Sequence, residues 1–374
     1  MRIRETKARS IQRKHKRIDS WFVSQYGMNL YRGCTHNCVY CDGRAEGYYV
    51  DGDFGNDVAV KTNAIELLKR ELDPKRKRKP FTRSYIMLGG GVGDSYQPVE
   101  RKYELSRQAL GVIHEHGFPV HILTKSALVK RDADIIRKIN EKSRAIVSFS
   151  VSSADDETST IFEPGVPAPS ERFMTLKFFK DCGIPCGLFV LPVIPFITDT
   201  VEMIDTVVCQ AAKIGIDFIV FGGMTLKRGR QQDYFQRALK KHYPELLPEY
   251  AMIYRGSKYG EAIPQYYSSI SQTFDAIASK YRIAKRMPAT LFNDILEEND
   301  RVMVILDQLD YLIRLKRAKS PYGYAAYSIG KIKTPISSMP NLRQIKGVGQ
   351  TTEMVIREIL RTGTCAQYER LLRG

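Results

Sequence analysis

Three cysteines lie close together near the start of the chain, in the segment Cys34-Thr-His-Asn-Cys38-Val-Tyr-Cys41. Thiolates at this spacing can face one point from a single loop, and Gly33 eases the tight backbone path that this requires. Three ligands on an iron–sulfur cluster leave one iron open, and an open iron can chelate the amino and carboxylate groups of a cofactor. The segment therefore predicts a metal centre that does chemistry.

A structural zinc site is the alternative for the same cysteines. Such a site needs a fourth Cys or His nearby, and His36 lies inside the loop, where it is poorly placed to complete one. Three of the seven cysteines are packed into this loop, which is typical of a metal centre in a reducing compartment, so we expect a cytoplasmic protein. For Cys182, Cys186, Cys209 and Cys365 we expect small buried hydrophobic residues.

Further candidate ligands follow the apolar runs of the chain. Gly89-Gly90-Gly91 closes one such run, and glycines let a backbone approach a ligand closely, although a flexible turn is the ordinary alternative. Lys125 and Ser150 lie at or near the ends of the next two runs. Taken singly, Lys125 also fits a solvated strand end and Ser150 a satisfied core hydroxyl.

The chain of 374 residues has a formal net charge of +17, and its 43% hydrophobic content can fill a core. Residues 1–22 carry eight Lys or Arg against two acids, and 75–79 is an unbroken basic block, which we expect to form a solvated loop. Such clustering favours a polyanionic partner, with nucleic acid as the first candidate. No apolar run is long enough for a membrane span, so we expect no membrane partner.

The candidate ligands require a scaffold that brings them together. Runs that are continuously apolar predict strands at 85–88, 120–123, 145–151, 187–193 and 218–221. Helical spacing of apolar residues occurs at 58–72, 101–115, 131–140, 170–181 and 200–214. This alternation predicts an α/β fold, a partial (β/α)6 barrel with six strand–helix units, whose ligands bind at the carboxyl ends of the strands.

From about Arg282 the pattern is helical throughout. We therefore predict three segments: a basic N-terminal segment (1–22), the partial barrel (23–281) and an all-α C-terminal domain (282–374).

The cysteine spacing resembles that of the radical S-adenosylmethionine superfamily. Four further segments resemble the spore photoproduct lyase group within it: Leu123-Thr-Lys125, Phe149-Ser-Val-Ser-Ser153, Phe162-Glu-Pro-Gly165 and Phe189-Val-Leu-Pro192. The resemblance covers about residues 26–270. It implies a 4Fe-4S cluster, S-adenosylmethionine as the second cofactor, and an electron donor such as flavodoxin or ferredoxin.

The resemblance also implies roles for single residues. Cys34, Cys38 and Cys41 would hold the cluster. The implied cofactor contacts are Tyr40 and Leu191, with Val190, beside the adenine, Gly89, Gly90 and Gly91 at the methionine amino group, Lys125 at the carboxylate, and Ser150 at the ribose.

One position departs from the lyases of this group. They keep a hydrogen-donating cysteine after the second strand, where this chain has Gly91. A strict spore photoproduct lyase is therefore not expected. Tyr96 and Cys186 are the candidate catalytic hydrogen donors in its place, and the residues expected to line the substrate side are Asp94, Tyr96, Gln97 and Glu100.

The C-terminal segment contains a second motif, a Gly347-Val-Gly349 hairpin flanked by predicted helices. Backbone N–H groups at such a turn can bind phosphate, as in helix-hairpin-helix DNA-binding motifs, although an ordinary interhelical loop is the alternative. The wider segment resembles the N-terminal lyase domain of family X DNA polymerases, but Val355 occupies the position of their Schiff-base lysine. The expected DNA contacts are Arg343, Lys346, Gly347, Gly349, Arg357 and Arg361.

The sequence thus predicts a radical S-adenosylmethionine enzyme whose 5′-deoxyadenosyl radical acts on DNA, in lesion repair or modification. RNA modification is one alternative. A DNA-binding protein that uses the cluster as a redox sensor is another, although the cofactor-side residues Lys125 and Ser150 argue against it.

Overall fold

The computed structural model describes residues 2–48, 52–77 and 81–374. The described strands are β1 (Arg2–Thr6), β2 (Gln12–Asp19), β3 (Ser24–Met28), β4 (Tyr31–Arg32), β5 (Asp57–Lys61), β6 (Tyr85–Gly89), β7 (Val120–Thr124), β8 (Ala145–Val151), β9 (Cys186–Val193) and β10 (Phe218–Gly223).

The described helices include seven that lie among the strands: α1 (Ala64–Leu72), α2 (Glu100–Tyr103), α3 (Leu105–His116), α4 (Ala133–Lys142), α5 (Asp156–Phe162), α6 (Pro169–Asp181) and α7 (Val201–Ile214). Those that follow β10 are α8 (Arg230–His242), α9 (Leu247–Ile253), α10 (Pro264–Lys280), α11 (Glu298–Leu315), α12 (Tyr322–Ile329), α13 (Gln350–Thr362) and α14 (Ala366–Arg373).

The larger sheet has the strand order β2-β3-β6-β7-β8-β9-β10. Six of these strands, β3 and β6 to β10, run parallel, while β2 pairs antiparallel with β3 at the edge. The smaller sheet has the order β1-β5-β4 and carries the cysteine loop at the end of β4. The six parallel strands with their intervening helices confirm the predicted partial α/β barrel.

The two faces of the larger sheet belong to two different apolar cores. Along β8, Ala145, Val147 and Phe149 pack in the outer core with the covering helices, whereas Ile146 packs in the inner core. Side chains alternate along a strand, so every second residue points to the inside of the curved sheet. This alternation decides which side chain of each apolar strand can reach a ligand inside the barrel.

The C-terminal helices fill part of the inside of the barrel. Phe218 and Ile146 of the sheet share the inner core with Leu306 of α11 and Ile356 of α13, and the Tyr85 hydroxyl donates to the carbonyl oxygen of Leu291 at 2.5 Å. The residues from Arg282 to the C-terminus are helical or irregular, as predicted, and contain no strand. They nevertheless bury their apolar surface against the barrel.

Two sequence-based predictions need correction. The predicted helix 58–72 begins only at Ala64, because residues 57–61 form β5, which pairs with both β1 and β4. The basic segment 1–22 is not separate from the barrel, since β1 and β2 are strands of the two sheets. The side chains of Arg13 to Arg17 on β2 are exposed, which suits an edge strand because charge there discourages pairing with another chain.

The predicted loop at 75–79 lies partly outside the described residues, which end at Lys77 before resuming at Phe81; Lys75 to Lys77 lie in a turn. Among the helices of the described ranges, none combines the length and the apolar character that a bilayer crossing requires.

Candidate active site

The cysteine loop is held at both ends by close backbone approaches. Gly33 adopts a φ of +86°, and a Cβ atom there would lie 2.3 Å from the carbonyl oxygen of Asp57. Within the loop, the Cys41 amide donates to the Cys38 carbonyl oxygen at 3.3 Å, and the Val39 amide donates to the Phe162 carbonyl oxygen at 2.8 Å. The loop is therefore fastened to β5 on one side and to the end of α5 on the other.

Two buried side chains brace the same loop from outside. Gln97 donates from Nε2 to the Gly33 carbonyl oxygen at 3.0 Å and accepts from the Thr35 amide at 3.0 Å. The Arg44 guanidinium donates to the Cys38 carbonyl oxygen at 3.1 Å and lies 3.4 Å from the centre of the Tyr234 ring. These contacts hold the loop in one conformation, which a cluster with three protein ligands requires.

A cavity of about 270 Å³ opens between the cysteine loop and the carboxyl ends of the parallel strands. Many of the predicted site residues line this cavity: Cys34, Cys38, Tyr40, Cys41, Gly90, Gly91, Asp94, Lys125, Ser150 and Leu191. Other lining residues that sequence reasoning did not single out as ligands include Phe22, Asp42 and Met224. The structure thus brings together residues from the loop and from four successive strands.

Lys125 is the polar centre of the cavity wall. Its Nζ donates to Ser150 Oγ at 2.9 Å and to Glu163 Oε1 at 3.0 Å, and it lies 5.6 Å from the centre of the Tyr40 ring. Its backbone amide donates to Asp94 Oδ2 at 2.8 Å. The Lys125 side chain is 15% exposed and lines the cavity, so its ammonium can donate to an anionic ligand group in addition to Glu163.

Glu163 connects the cysteine loop to the sheet. Its fully buried carboxylate accepts from the Tyr40 hydroxyl, from Arg172 Nη2, from Lys125 Nζ and from Ser159 Oγ. Burial alone would raise the pKa of this carboxyl, but the charges of Arg172 and Lys125 outweigh it and hold the pKa well below its ordinary range. The carboxylate is therefore ionised and fixes both Tyr40 and Lys125.

The local sequence does not indicate that Glu163 and Arg172 form an ion pair. Arg172 lies on α6 and is completely buried, and its Nη1 donates to the Ser150 carbonyl oxygen at 2.9 Å. Its role becomes visible only when β8, α5 and α6 are packed together. The contacts of Arg44 could not be predicted either, because this residue lies just after the last cysteine but belongs to no recognisable motif.

Of the four side chains expected on the substrate side, Asp94 lines the cavity. It accepts from Thr124 Oγ1 at 2.8 Å and lies 3.4 Å from Nδ1 of the buried His36. Gln97 braces the cysteine loop, as described above. Glu100 is buried away from the cavity, where it accepts from Arg131 Nη2 at 2.7 Å.

The structure places both predicted hydrogen donors away from the cavity. Cys186 begins β9, at the opposite end of the strand from the cavity, and its Sγ points outward, 3.3 Å from the Ile184 carbonyl oxygen. Tyr96 is fully buried in the outer core, and burial raises the pKa of its phenol well above the ordinary value. Neither side chain is among the described residues that line the cavity.

The three glycines have different positions. Gly89 ends β6 with a φ of +93°, and a Cβ atom there would lie 2.1 Å from the Leu123 carbonyl oxygen, so its role is close packing of two strands and not contact with the cavity. Gly90 and Gly91 line the cavity. A Cβ atom on Gly91 would meet nothing within 4 Å, which leaves space beside the loop.

The thiols fit an iron–sulfur cluster. Cys34, Cys38 and Cys41 line the same cavity and are not joined by disulfides, and burial raises the pKa of all three. Buried thiols of this kind become thiolates when a cation binds. Among the described residues, no group of three or more His, Cys, Asp or Glu side chains is arranged to hold a single metal ion. A four-iron cluster takes its thiolates from further apart than one ion does.

The predicted DNA contacts lie on the surface of the C-terminal helices. Gly347 has a φ of +85°, and Gly349 immediately precedes α13. The predicted first helix of the motif is only a 3-10 turn at Leu342–Gln344, because the chain bends again at the hairpin. The four predicted basic contacts are exposed: Arg343, Lys346, Arg357 and Arg361.

Arg343 and Arg357 already have a carboxylate partner. Arg343 Nε donates to Glu353 Oε2 at 2.7 Å, and Arg357 Nη2 donates to Glu353 Oε1 at 2.7 Å. Val355, which by the resemblance stated above occupies the position of the Schiff-base lysine of family X DNA polymerases, is buried in the inner core.

The sequence profile of the Radical SAM superfamily matches residues 28–208. An uncharacterized protein of Mycobacterium tuberculosis is 32% identical over 264 residues, which are 70% of this chain and 75% of that protein. The chain belongs to the radical SAM superfamily. An uncharacterized protein of Methanocaldococcus jannaschii is 30% identical over 223 residues, 59% of this chain and 78% of that protein.

Solved structures of spore photoproduct lyase share the radical SAM fold with this chain. One variant aligns with a TM-score of 0.55 at 16% identity, over 75% of this chain and 79% of that chain. A variant with bound AdoMet and dinucleoside spore photoproduct aligns with a TM-score of 0.54 at 17% identity, over the same shares. At this identity the likeness shows the fold.

As a radical SAM protein, the chain uses a 4Fe-4S cluster and S-adenosylmethionine. Its cavity suits both groups. The thiols occupy one wall, and the backbone at Gly90 and Gly91 forms another, with open space beside Gly91. Leu191 and Tyr40 offer an apolar and aromatic surface beside the polar Lys125.

Proposed function

We propose that this radical SAM enzyme acts on DNA, in the repair or modification of a damaged or altered nucleotide. The observation that carries the proposal is the way in which the C-terminal helices pack into the barrel: the helices that carry the exposed basic side chains share one apolar core with Leu123, which lines the cofactor cavity. The net charge of +17 supports a polyanionic substrate. A variant of spore photoproduct lyase, which has the same fold, binds a dinucleoside lesion.

In this proposal each cavity residue has a defined part. Cys34, Cys38 and Cys41 would hold the cluster, and a donor such as flavodoxin or ferredoxin would supply the electron for its chemistry. Lys125 binds the carboxylate of S-adenosylmethionine, and Ser150, with its hydroxyl 2.7 Å from the Leu191 carbonyl oxygen, faces the ribose.

The aromatic and glycine residues complete the cofactor contacts. Tyr40 and Leu191 enclose the adenine, and the backbone at Gly90 and Gly91 receives the amino group. When bound and reductively cleaved, S-adenosylmethionine supplies methionine and a 5′-deoxyadenosyl radical that can abstract a hydrogen atom from a substrate.

The C-terminal segment 282–374 is proposed to hold the DNA. The exposed side chains of Arg343, Lys346, Arg357 and Arg361 would contact phosphates, and the backbone of Gly347 and Gly349 would contribute N–H groups beside α13. Such contacts position a protein on DNA without reading the bases. Buried Val355 carries no amine, so the segment would bind abasic DNA without forming a Schiff base.

The decisive experiment measures reductive cleavage of S-adenosylmethionine by the reconstituted, reduced protein. It is run with lesion-bearing duplex DNA, with undamaged DNA and with transfer RNA. Lesion-bearing DNA should stimulate cleavage and should itself be altered. If only transfer RNA stimulates cleavage and is itself altered, the protein modifies RNA instead. If S-adenosylmethionine is not cleaved with any of the three, the protein is a redox sensor.

The substrate chemistry should differ from that of spore photoproduct lyase. Gly91 stands where the lyases keep a donor cysteine, and the cysteines among the described cavity residues are the three cluster ligands. A substrate radical in this cavity would lack a thiol donor, so clean conversion of the spore photoproduct to two thymines is not expected. Efficient conversion, measured by chromatography of digested DNA, would refute this part of the proposal.

A further inference from the structure

Two exposed tyrosines lie side by side on the C-terminal helices. Tyr324 and Tyr327 of α12 are 58% and 48% exposed, although most large apolar side chains of this segment are buried. Their ring centres are 6.4 Å apart and their planes differ by 21°. The helix thus presents two nearly parallel aromatic rings to solvent.

Cations surround these rings. Lys331 Nζ lies 3.9 Å from the centre of the Tyr327 ring. The hydrogen bond and charge of Lys331, together with the charges of Arg17 and Lys16 on β2, lower the pKa of the Tyr327 phenol. Arg17 Nη2 lies 3.9 Å from Asp307 Oδ1 of α11, the helix that packs against both β2 and α12, and Lys16 is the preceding residue of β2. We call the aromatic pair and these nearby cations the tyrosine surface (Tyr324, Tyr327, Lys331, Lys16 and Arg17).

The Gly347–Gly349 hairpin adjoins the tyrosine surface directly. A Cβ atom on Gly347 would lie 2.7 Å from Cδ1 of Tyr324 and 3.0 Å from the Ala325 amide nitrogen. Lys346 precedes this glycine and is exposed. The hairpin and the aromatic pair form one continuous surface, in which the lack of a side chain at Gly347 allows the contact.

A surface concavity borders Lys16 and Arg17 of the tyrosine surface. This concavity of about 310 Å³ is lined by residues 15–21 and by Asp307, and so leads along β2 from Lys16 to Trp21. Phe22, the next residue, lines the cofactor cavity itself.

We propose that the tyrosine surface binds single-stranded DNA by stacking unpaired bases on Tyr324 and Tyr327, with the phosphates at Lys331, Lys16 and Arg17. The inference rests on the proposed action on DNA and adds that the substrate exposes unpaired bases beside its duplex part. Proteins bind single strands by stacking the bases on aromatic side chains and by placing cations along the phosphates. This works for any sequence, because every unpaired base has a π face and every nucleotide has a phosphate. In an intact duplex those faces are covered by neighbouring base pairs, so a duplex could use only the cations.

The test measures binding of the full chain to fluorescent single-stranded and duplex oligonucleotides of the same sequence. The Tyr324→Ala/Tyr327→Ala double variant should lose about tenfold to a hundredfold in single-strand affinity and little in duplex affinity. Tyr324→Phe/Tyr327→Phe keeps the rings and should bind like the wild type. Tyr259→Ala removes an equally exposed tyrosine, 65% exposed and remote from α12 in sequence, and should change nothing.

Salt titration separates stacking from charge. Replacing Lys16 and Arg17 by Ala should reduce the slope of log affinity against log salt, by about 0.7 for each phosphate that the protein no longer neutralises. The two tyrosine replacements should leave that slope unchanged.

The outcomes distinguish this inference from the proposed function. Suppose that the wild type binds duplex DNA and that the double Ala variant binds single strands as well as the wild type does. This result would refute base stacking on the tyrosine surface but not the proposed action on DNA. Wild-type protein that binds neither form of DNA would overturn both. Tighter binding of single-stranded RNA than of DNA, lost in the double Ala variant, would overturn the assignment to DNA.

Discussion

Two cationic side chains share one carboxylate both in the cofactor cavity and on the C-terminal helices, but the cavity group is buried and the surface group is exposed. Lys125 and Arg172 are 15% and 0% exposed, and both contact the completely buried carboxylate of Glu163. Arg343 and Arg357 are 55% and 52% exposed and share Glu353, which is 13% exposed. Both regions therefore place two cations on one carboxylate, and they differ in burial.

Burial changes what such a group can do. In the cavity, removing one partner would leave an uncompensated charge in a dry environment, so the geometry is rigid and suits the positioning of a cofactor. On the surface, water screens each ion pair and the pair contributes little to stability, so an arginine can exchange its carboxylate for a phosphate at low cost. The first arrangement serves orientation, and the second serves reversible binding.

The largest effect is expected at the cluster. Cys38→Ala should abolish both the iron–sulfur absorption and the cleavage of S-adenosylmethionine, because a three-ligand cluster cannot lose a thiolate and keep its form. Iron content, absorption spectra and 5′-deoxyadenosine production measure this. Cys182→Ala, at a partly buried cysteine outside the cavity, is the matched control and should retain all three properties. Cofactor cleavage that survives in Cys38→Ala would contradict the site.

Glu163→Gln tests whether the buried network is rigid. The substitution keeps the size of the side chain but leaves Arg172 without its full counter-charge, so the free energy of unfolding should fall by about 3–5 kcal/mol. Urea denaturation measures the loss, and weaker binding of S-adenosylmethionine should accompany it because Lys125 and Tyr40 lose their common partner. Glu353→Gln, at the surface carboxylate, is the comparison and should change stability little. Equal effects at the two sites would remove the distinction between the regions.

Acid should weaken the core that joins the two regions. His121 is buried on the inner face, where Nε2 contacts Ser148 Oγ at 2.8 Å, and burial lowers its pKa to about 4. The folded protein favours the neutral imidazole, so its contribution is complete above the ordinary pKa of 6.5 and is lost as the pH falls toward 4.

The loss attributable to His121 should reach about 3 kcal/mol, at about 1.4 kcal/mol per unit of pKa shift. Urea denaturation across this pH range should show that component in the wild type and not in His121→Asn. His15→Asn, at an exposed site, should keep it. A pH dependence that is the same in all three proteins would exclude His121 as the cause.

The smallest effect is expected at the surface carboxylate. Glu353→Gln frees Arg343 and Arg357 from their intramolecular partner, so DNA affinity at low salt should rise by about two- to fivefold, and the gain should shrink as salt screens the charges. Fluorescence anisotropy with duplex DNA measures it. Glu245→Gln, at an exposed site on the barrel, removes the same charge and serves as the control. Weaker binding in Glu353→Gln would mean that Glu353 orders these arginines for DNA.

Much of the scaffold and of the cofactor site could be predicted from local patterns. The apolar runs at 120–123 and 145–151 became β7 and β8 with almost the same bounds, because a buried parallel strand needs a continuous run of apolar residues. Lys125 and Ser150 then reach one cavity because the carboxyl ends of parallel strands meet at one edge.

The orientation of single side chains was harder to predict. In a strand that is apolar on both faces, the sequence carries no sign of which residues point inward, so Cys186 could be considered as a donor although its thiol faces outward. Gln97 and Glu100 lie away from the cavity for a related reason, since a polar residue in a loop or at the start of a helix gives no sign of whether it will face a ligand or brace the protein.

By itself the sequence determined the chemistry of the cysteine loop, the order of strands and helices and the excess of positive charge, since each depends on neighbouring residues or on composition. Only the tertiary structure decided that Glu163 joins Arg172, Lys125 and Tyr40, and that β2 and α12 both pack against α11. These contacts join segments far apart in the chain. Ion pairs and apolar contacts depend on distance in space, and the packing of the sheet against the C-terminal helices sets those distances.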